Sequence, residues 1–160
     1  MSDNEQHSIK VRDAHLLDLL AMTKLAEVYA DEAPQMKMHT IDVETLMRNM
    51  AATILDPKGY LTVLEVDGEV VGGMWGYLMS MPWSKVETAQ DVILFVKKGD
   101  RGNGLLLIDS WVKWAESKGA KEIVLSTASG IKPNSFDKLM SRKGFTLQGY
   151  TYSKEVTYRQ

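Results

Sequence analysis

No cysteine occurs among the 160 residues. That one absence removes disulfides, thiol nucleophiles and thiolate-held metals together, and it fits a reducing compartment. Histidine is scarce: His7, His15 and His39 are scattered without the close spacing of a zinc-binding helix, so no metal is expected. No apolar run approaches the roughly 20 residues of a membrane span. The polar start "MSDNEQHSIK" lacks a signal-peptide apolar segment, which makes a cytoplasmic protein with no membrane partner the expectation. Charge of either sign is not in excess, with 19 Lys and Arg against 21 Asp and Glu. Nucleic acid is therefore not an expected partner, and any bound anion has to be gripped locally.

What is present is a series of well-punctuated segments, in a length suited to one domain over residues 1–160. Residues 1–7 are expected to be a flexible N-terminal segment. "SIKV" reads as a short strand, and Asp13 as the cap of the helix after it. From Leu16 to Val28 apolar residues recur at helical spacing, which predicts a helix to about Ala30 that Pro34 keeps from continuing. A second helix is predicted from Thr40 or Asp42 through Ile54, ended by "DPKG".

"YLTVLEVDGEVVGGMWGYLMS" holds two β-rich runs joined by Asp67-Gly68, a strong hairpin signal. Gly72 and Gly73 inside the second run suggest a bulge or a close backbone approach. "MPWSKVETAQ" reads as a loop into the strand "DVILFV", and Gly104 opens a helix that ends at Lys118-Gly119. "KEIVLST" is a further strand, Pro133 to Lys143 a further helix, and "GFTLQGYTYSKEVTY" a terminal β ribbon. This order predicts a mixed sheet carrying helices, hence α+β.

The stretch "VKKGDRGNGLLLI" between strand and helix invites a chemical reading. A strand that feeds a helix through glycines points the helix's unpaired first N–H groups into the loop, where the dipole adds roughly half a positive charge. Gly99, Gly102 and Gly104 let the backbone approach a phosphate, and Lys97, Lys98 and Arg101 are cations close by in sequence. A P-loop is excluded because Gly104-Leu105-Leu106 stands where Gly-Lys-Ser/Thr is required. A dinucleotide fingerprint from Gly102 fails at Leu107, where a small residue is needed. From the glycines alone, a tight turn explains the stretch as well as an anion site does.

The flanks separate the two. "DVILFVKKGDRGNGLLLIDSWVKWAESKGAKEIVLST" runs strand, glycine loop, helix with "LL" and "WA", then "GA" and a strand. "FDKLMSRKGFTLQGYTY" is a helix ending in Gly-Phe, followed by a ribbon with Gly149 and Tyr152. In this order and spacing the chain resembles the GNAT acetyltransferase superfamily, most closely over Asp91 to Val156. The resemblance implies a GNAT-like, mostly antiparallel mixed sheet splayed between two parallel strands and flanked by about four helices. It also implies acetyl-CoA as a co-substrate without a metal, and a primary amine acceptor acetylated by direct attack. Carried over, Leu94, Phe95 and Val96 would lie along the pantetheine arm, and Arg101, Gly102, Asn103, Gly104, Leu105 and Leu106 around the pyrophosphate. Asn134 falls near a CoA-contacting position of the family, with helix capping as its competing role.

Two departures from the family matter. Aligning Gly102 and Gly104 with the family glycines puts Gly99 where Arg or Gln is usual, whereas aligning Arg101 there puts Leu106 at the small final position and leaves the helix two residues short of the usual distance to Trp114; the first register suits "LLI" and "WA" better. Met140 stands where many members carry the tyrosine that protonates the departing thiolate, and a thioether has no proton to give. Ser141, Tyr150, Tyr152 or water is left for that task. A carboxylate that neutralises the incoming amine is expected at Asp91, with Glu87 second; each also reads as a solvated group at a strand start. Trp75, Tyr77, Trp83 and His39 are candidates for the acceptor pocket, against core packing for Trp75 and simple loop exposure for His39. The family also implies a homodimer as an option, through the ribbon or the strand holding Gly72. The competing function is a catalytically inactive acyl-CoA-binding or protein-interaction module on the same fold, which Met140 and the irregular loop favour.

Overall fold

Asp67 and Gly68 both take positive φ, 50° and 82°, the geometry of a two-residue hairpin turn, and the sheet is organised around it. The computed structural model describes residues 7–126 and 133–159, the side chains of 34, 35, 133 and 134 excepted. Five strands form one sheet in sequence order: β1 (Ile9–Asp13), β2 (Gly59–Val66), β3 (Glu69–Ser80), β4 (Glu87–Val96) and β5 (Glu122–Ile123). The first four pair antiparallel, and β5 lies parallel to β4. Four α-helices accompany them among the described residues: α1 (Leu19–Glu32), α2 (Val43–Leu55), α3 (Gly104–Ser117) and α4 (Pro133–Arg142). The fold is the α+β mixed sheet that the sequence predicts.

Alternation along β2 divides the core. Leu61 and Val63 face Leu19 and Met50 of α1 and α2, whereas Tyr60 and Leu64 face Leu107, Trp111 and Ala115 of α3. Helices therefore cover both faces. On the α3 side Tyr60, Trp111 and Trp114 pack with ring centroids 5.0 to 5.4 Å apart. Gly76 of β3 makes room for this cluster, since a Cβ there would clash with the edge of the Trp111 ring. On the opposite face Thr53 of α2 binds both Trp75 and Tyr77 of β3, with Trp75 Nε1 donating to Thr53 Oγ1 at 2.9 Å. That pins α2 to the sheet.

Several boundaries differ from expectation. Asp42 caps α2 as predicted, its Oδ1 accepting from the Thr45 N–H at 2.8 Å. Asp13, by contrast, caps nothing and pairs with Thr62 at the end of β1. The chain enters α1 through a short 3-10 turn, Leu16–Asp18, where Asp18 accepts the His15 N–H at 2.7 Å. β4 begins four residues earlier than the apolar run suggests, because the polar Glu87–Gln90 segment already pairs with β3. "KEIVLST" contributes only two ladder residues, and the expected terminal ribbon is absent: residues 145–159 form no strand. The hairpin also anchors the N-terminal end, with His7 Nδ1 2.7 Å from Asp67 Oδ2. Of the segment predicted to be flexible, residues 1–6 lie outside the described residues.

Arg12, on β1, organises an ion network that alternation does not reveal. Its two terminal nitrogens donate to both oxygens of buried Asp18 at 2.8 and 2.9 Å, and its Nε donates to Glu65 at 2.7 Å. The guanidinium holds the Asp18 carboxyl below the usual carboxylate range. A carboxylate with a depressed folded value stabilises the fold above its unfolded value, about pH 4, and that stability is lost as pH falls through the lower folded value. Asp18→Asn is therefore expected to lower the melting temperature at pH 7, with the gap to the parent chain closing only below about pH 4. Thermal melts from pH 7 to pH 2 measure it, and a gap that stays constant across that range would rule out the charge contribution.

Candidate functional site

The site grows from a mismatch in β4. Trp75 pairs with Ile93 but Gly76 pairs with Asp91, so Val92 is an extra residue that bulges from the ladder. On its other edge β4 meets β5 only at Thr88–Glu122 and Ala89–Ile123. The Val124 N–H still donates to the Ala89 carbonyl at 2.8 Å, and beyond that point no ladder joins the two strands among the described residues. Asp91 spans the start of the gap. Its Oδ2 accepts both the N–H and the hydroxyl of Ser126 at 2.9 Å, and its Oδ1 accepts from Gln90 Nε2 at 3.1 Å. Asp91 is 7% exposed, so the expectation of a solvated group at a strand start is corrected: it is a buried clasp in mid-strand.

At the far end of β4 the glycine loop runs through a 3-10 turn, Arg101–Asn103, into α3. Gly99 has φ of +93°, which turns the chain. No side chain among the described residues caps α3, although Asn103 is its N-cap. A Cβ built on Gly102 would meet no described atom within 4 Å, and one on Gly104 would touch only Val96 Cγ2 at 3.6 Å. Among the described residues the space above these glycines is open, and the amides of Leu105 and Leu106 border it. Such a rim fits a phosphate.

The cations of the loop are less free than their sequence suggests. Arg101 donates to Glu32 at the end of α1 and, through Nε, to the Val96 carbonyl at 3.2 Å. Lys97 donates to Glu69 at 3.0 Å, and that partner raises the lysine above its ordinary value. Lys98 is exposed. The Phe95 and Val96 side chains are buried on opposite faces, Phe95 against Tyr29 and Val96 beside Leu107, with Leu94 packed against the second group. What Leu94, Phe95 and Val96 offer at the gap is backbone.

A second opening lies on the α1 and α2 side of β3 and β4. It is a cavity of about 250 Å³ whose walls include Met22, Met50, Trp75, Val92, Ile93 and Phe95. Tyr29 also lines it, and burial raises that hydroxyl above its ordinary value, with the charge of Asp91 adding to the effect. Of the four predicted acceptor-pocket residues, only Trp75 borders this space. Tyr77 is held by Thr53, while Trp83 and His39 are exposed and line none of it.

The other predicted residues are dispersed. Glu87 starts β4, four residues or roughly 13 Å along the strand from Asp91. Its neighbours there are Lys85, Lys118 and Lys121, at a shallow surface depression. Tyr150 is 82% exposed and Tyr152 93%, since the ribbon meant to bring them round is not formed. Met140 is buried in α4 and Ser141 is exposed. The Asn134 side chain lies outside the described residues. Among the described residues, no cluster of three or more His, Cys, Asp or Glu can hold a metal ion. No described helix is long and apolar enough to cross a membrane.

No family model matches the sequence, and no curated protein matches it. Solved structures do. A ribosomal-protein-alanine N-acetyltransferase from Brucella melitensis biovar Abortus 2308 is 21% identical, with a TM-score of 0.68 over 93% of this chain and 99% of its own. A transcriptional regulator from Bacillus halodurans C-125 is 18% identical, with a TM-score of 0.74 over 93% of this chain and 100% of its own. An aminoglycoside N-acetyltransferase solved with CoA is 14% identical, with a TM-score of 0.68 over 98% of this chain and 97% of its own.

Proposed function

We propose that this chain, whose fold is that of the GNAT superfamily of N-acetyltransferases, moves an acetyl group from acetyl-CoA to a primary amine. The observation that carries the reading is that, among the described residues, the β4–β5 ladder ends at Ala89, on the strand that leads to the glycine-bordered start of α3, which no described side chain caps. An extended thiol-bearing arm fits the edge of β4 that no described strand pairs, and a pyrophosphate fits the amides of Leu105 and Leu106 beside Gly102, since the Asn103 and Gly104 N–H groups already donate to the Asp100 and Arg101 carbonyls. An aminoglycoside N-acetyltransferase of the same fold is solved with CoA, which supports the same ligand here.

The chemistry this arrangement supports is direct attack. The neutral amine adds to the thioester carbonyl, an N–C bond forms, the C–S bond breaks, and CoA leaves as a thiolate. The proton of the amine passes to Asp91, through a water or after Ser126 shifts, because both carboxylate oxygens already accept hydrogen bonds. Met140 cannot protonate the thiolate, so solvent supplies that proton. Glu87 and Tyr150 have no part in this scheme. The protein acts mainly by holding donor and acceptor together.

A second reading has its own support. Met140, together with a carboxylate engaged by three donors, suits a module that binds acyl-CoA without turning it over. Titration with acetyl-CoA by calorimetry, followed by free-thiol release against a panel of primary amines, separates the two. Saturable binding with amine-dependent thiol release is the expected result. Binding without release on any amine would favour the module, and no binding would overturn both readings.

A further inference from the structure

We propose that the cavity between α1, α2 and the β3–β4 face binds the acceptor, and that the acceptor is a small primary amine carrying one aromatic ring. The inference rests on the acetyl-transfer reading for its reaction, but on the cavity alone for its chemistry.

The lining carries no charged side chain among the described residues. Trp75 presents its ring rather than its N–H, because that N–H is spent on Thr53 and on Tyr77. Arg101 and Glu32, at the end of α1, are spent on each other. A polycation or a sugar phosphate would leave several charges in this space without partners, at a cost of several kcal/mol for each ion. An apolar body has no such cost.

Size narrows the class. An apolar cavity of roughly 150 Å³ holds a benzene molecule. The 250 Å³ here therefore has room for an aromatic ring and a short alkyl arm. Met22, Met36 and Met50 on the walls are flexible and polarisable, and thioethers pack favourably against aromatic edges. Trp75 and Phe95 add ring faces. Orientation follows from β4. The bulge residue Val92 lines the cavity, whereas its chain neighbour Asp91 pairs with Gly76 and is not part of the lining, so a ring seated in the cavity brings its amino group to the β4 bulge and reaches that carboxylate only through water. The amine then meets the thioester at the gap, is acetylated on nitrogen and releases CoA thiol.

The test uses the full chain with saturating acetyl-CoA, comparing 2-phenylethylamine with spermidine, glucosamine 6-phosphate and an aminoglycoside. The expected kcat/KM for 2-phenylethylamine is at least tenfold above any of the three. Ala26→Phe, which fills the cavity from α1, is expected to lower that value at least tenfold with the acetyl-CoA Kd unchanged. Equal or better turnover of the polar amines would overturn the acceptor assignment and leave acetyl transfer standing. Should no amine be acetylated, calorimetry of 2-phenylethylamine against the CoA-loaded parent chain decides the cavity by itself. Binding there that Ala26→Phe abolishes supports the ligand class while acetyl transfer fails, and absence of binding overturns the proposal.

Discussion

A chain carrying Gly102→Val together with Gly104→Val is expected to lose acetyl-CoA affinity by about 100-fold while its melting temperature stays within a few degrees of the parent. The fold has room for both side chains. A Cβ at Gly102 meets no described atom within 4 Å, and at Gly104 it makes one ordinary contact with Val96. Gly104 has φ of -59° and ψ of -25°, helical values that any residue adopts, and neither glycine has positive φ. Valine also has a higher helix propensity than glycine, which offsets any small loss. The ligand has no such room. Side chains at a helix start lean back toward the loop, into the space a pyrophosphate would need. Displacing two amide-to-phosphate bonds at about 1.5 kcal/mol each removes about 3 kcal/mol, or roughly 100-fold in Kd. Calorimetric titration paired with a thermal melt reads both quantities. Unchanged affinity would remove the loop from CoA binding, and a collapsed melting temperature would mean that the glycines serve the fold instead. Gly99 is unsuitable for this test, because its φ of +93° strains any replacement in the free protein.

The elements most legible in the sequence are those set by local chemistry. Asp67-Gly68 specifies its own turn, Asp42 its own cap, and the Leu107, Ile108, Trp111 and Ala115 spacing its own buried helix face. The apolar run "VILFV" in β4 carries less information, because each of its residues is compatible with either face. Its bulge at Val92 shifts the facing of every later residue, and nothing in an unbroken apolar run marks where that shift occurs. The partners of charged loop residues are likewise invisible along the chain. Glu32 meets Arg101 across 69 positions, and Ser126 meets Asp91 across 35. Only the folded sheet brings them together. The Arg101–Glu32 pair has a consequence for the site, since it joins the end of α1, which roofs the cavity, to the loop that borders the phosphate space. The methionines of the cavity were readable only as ordinary helical and strand core, which is what their spacing alone supports.

Asp91→Asn is expected to lower kcat at saturating acetyl-CoA by about 100-fold or more, the lower end of what a general base contributes, with little change in stability. Asparagine has nearly the same shape, its oxygen can still accept both bonds from Ser126, and its NH2 can donate to Gln90 once that side-chain amide turns over, so the link between β4 and Ser126 is kept. What it lacks is a carboxylate able to take a proton from the amine. Asp91→Ala should behave differently. It leaves the Ser126 N–H without its acceptor at a position where the sheet ladder has already ended, which costs about 1–3 kcal/mol of stability in addition to the loss of rate. Ser126→Ala completes the comparison, since it removes one hydroxyl donor, keeps the backbone bond, and should cost only about 1 kcal/mol of stability with kcat within a few-fold of the parent. A residue that served only to hold the strands would give the opposite pattern: full kcat in Asp91→Asn, and losses in Asp91→Ala that track the melting temperature. Measuring kcat and melting temperature on the same three variants therefore separates proton transfer from strand clasping at one carboxylate, because the asparagine changes the first and spares the second.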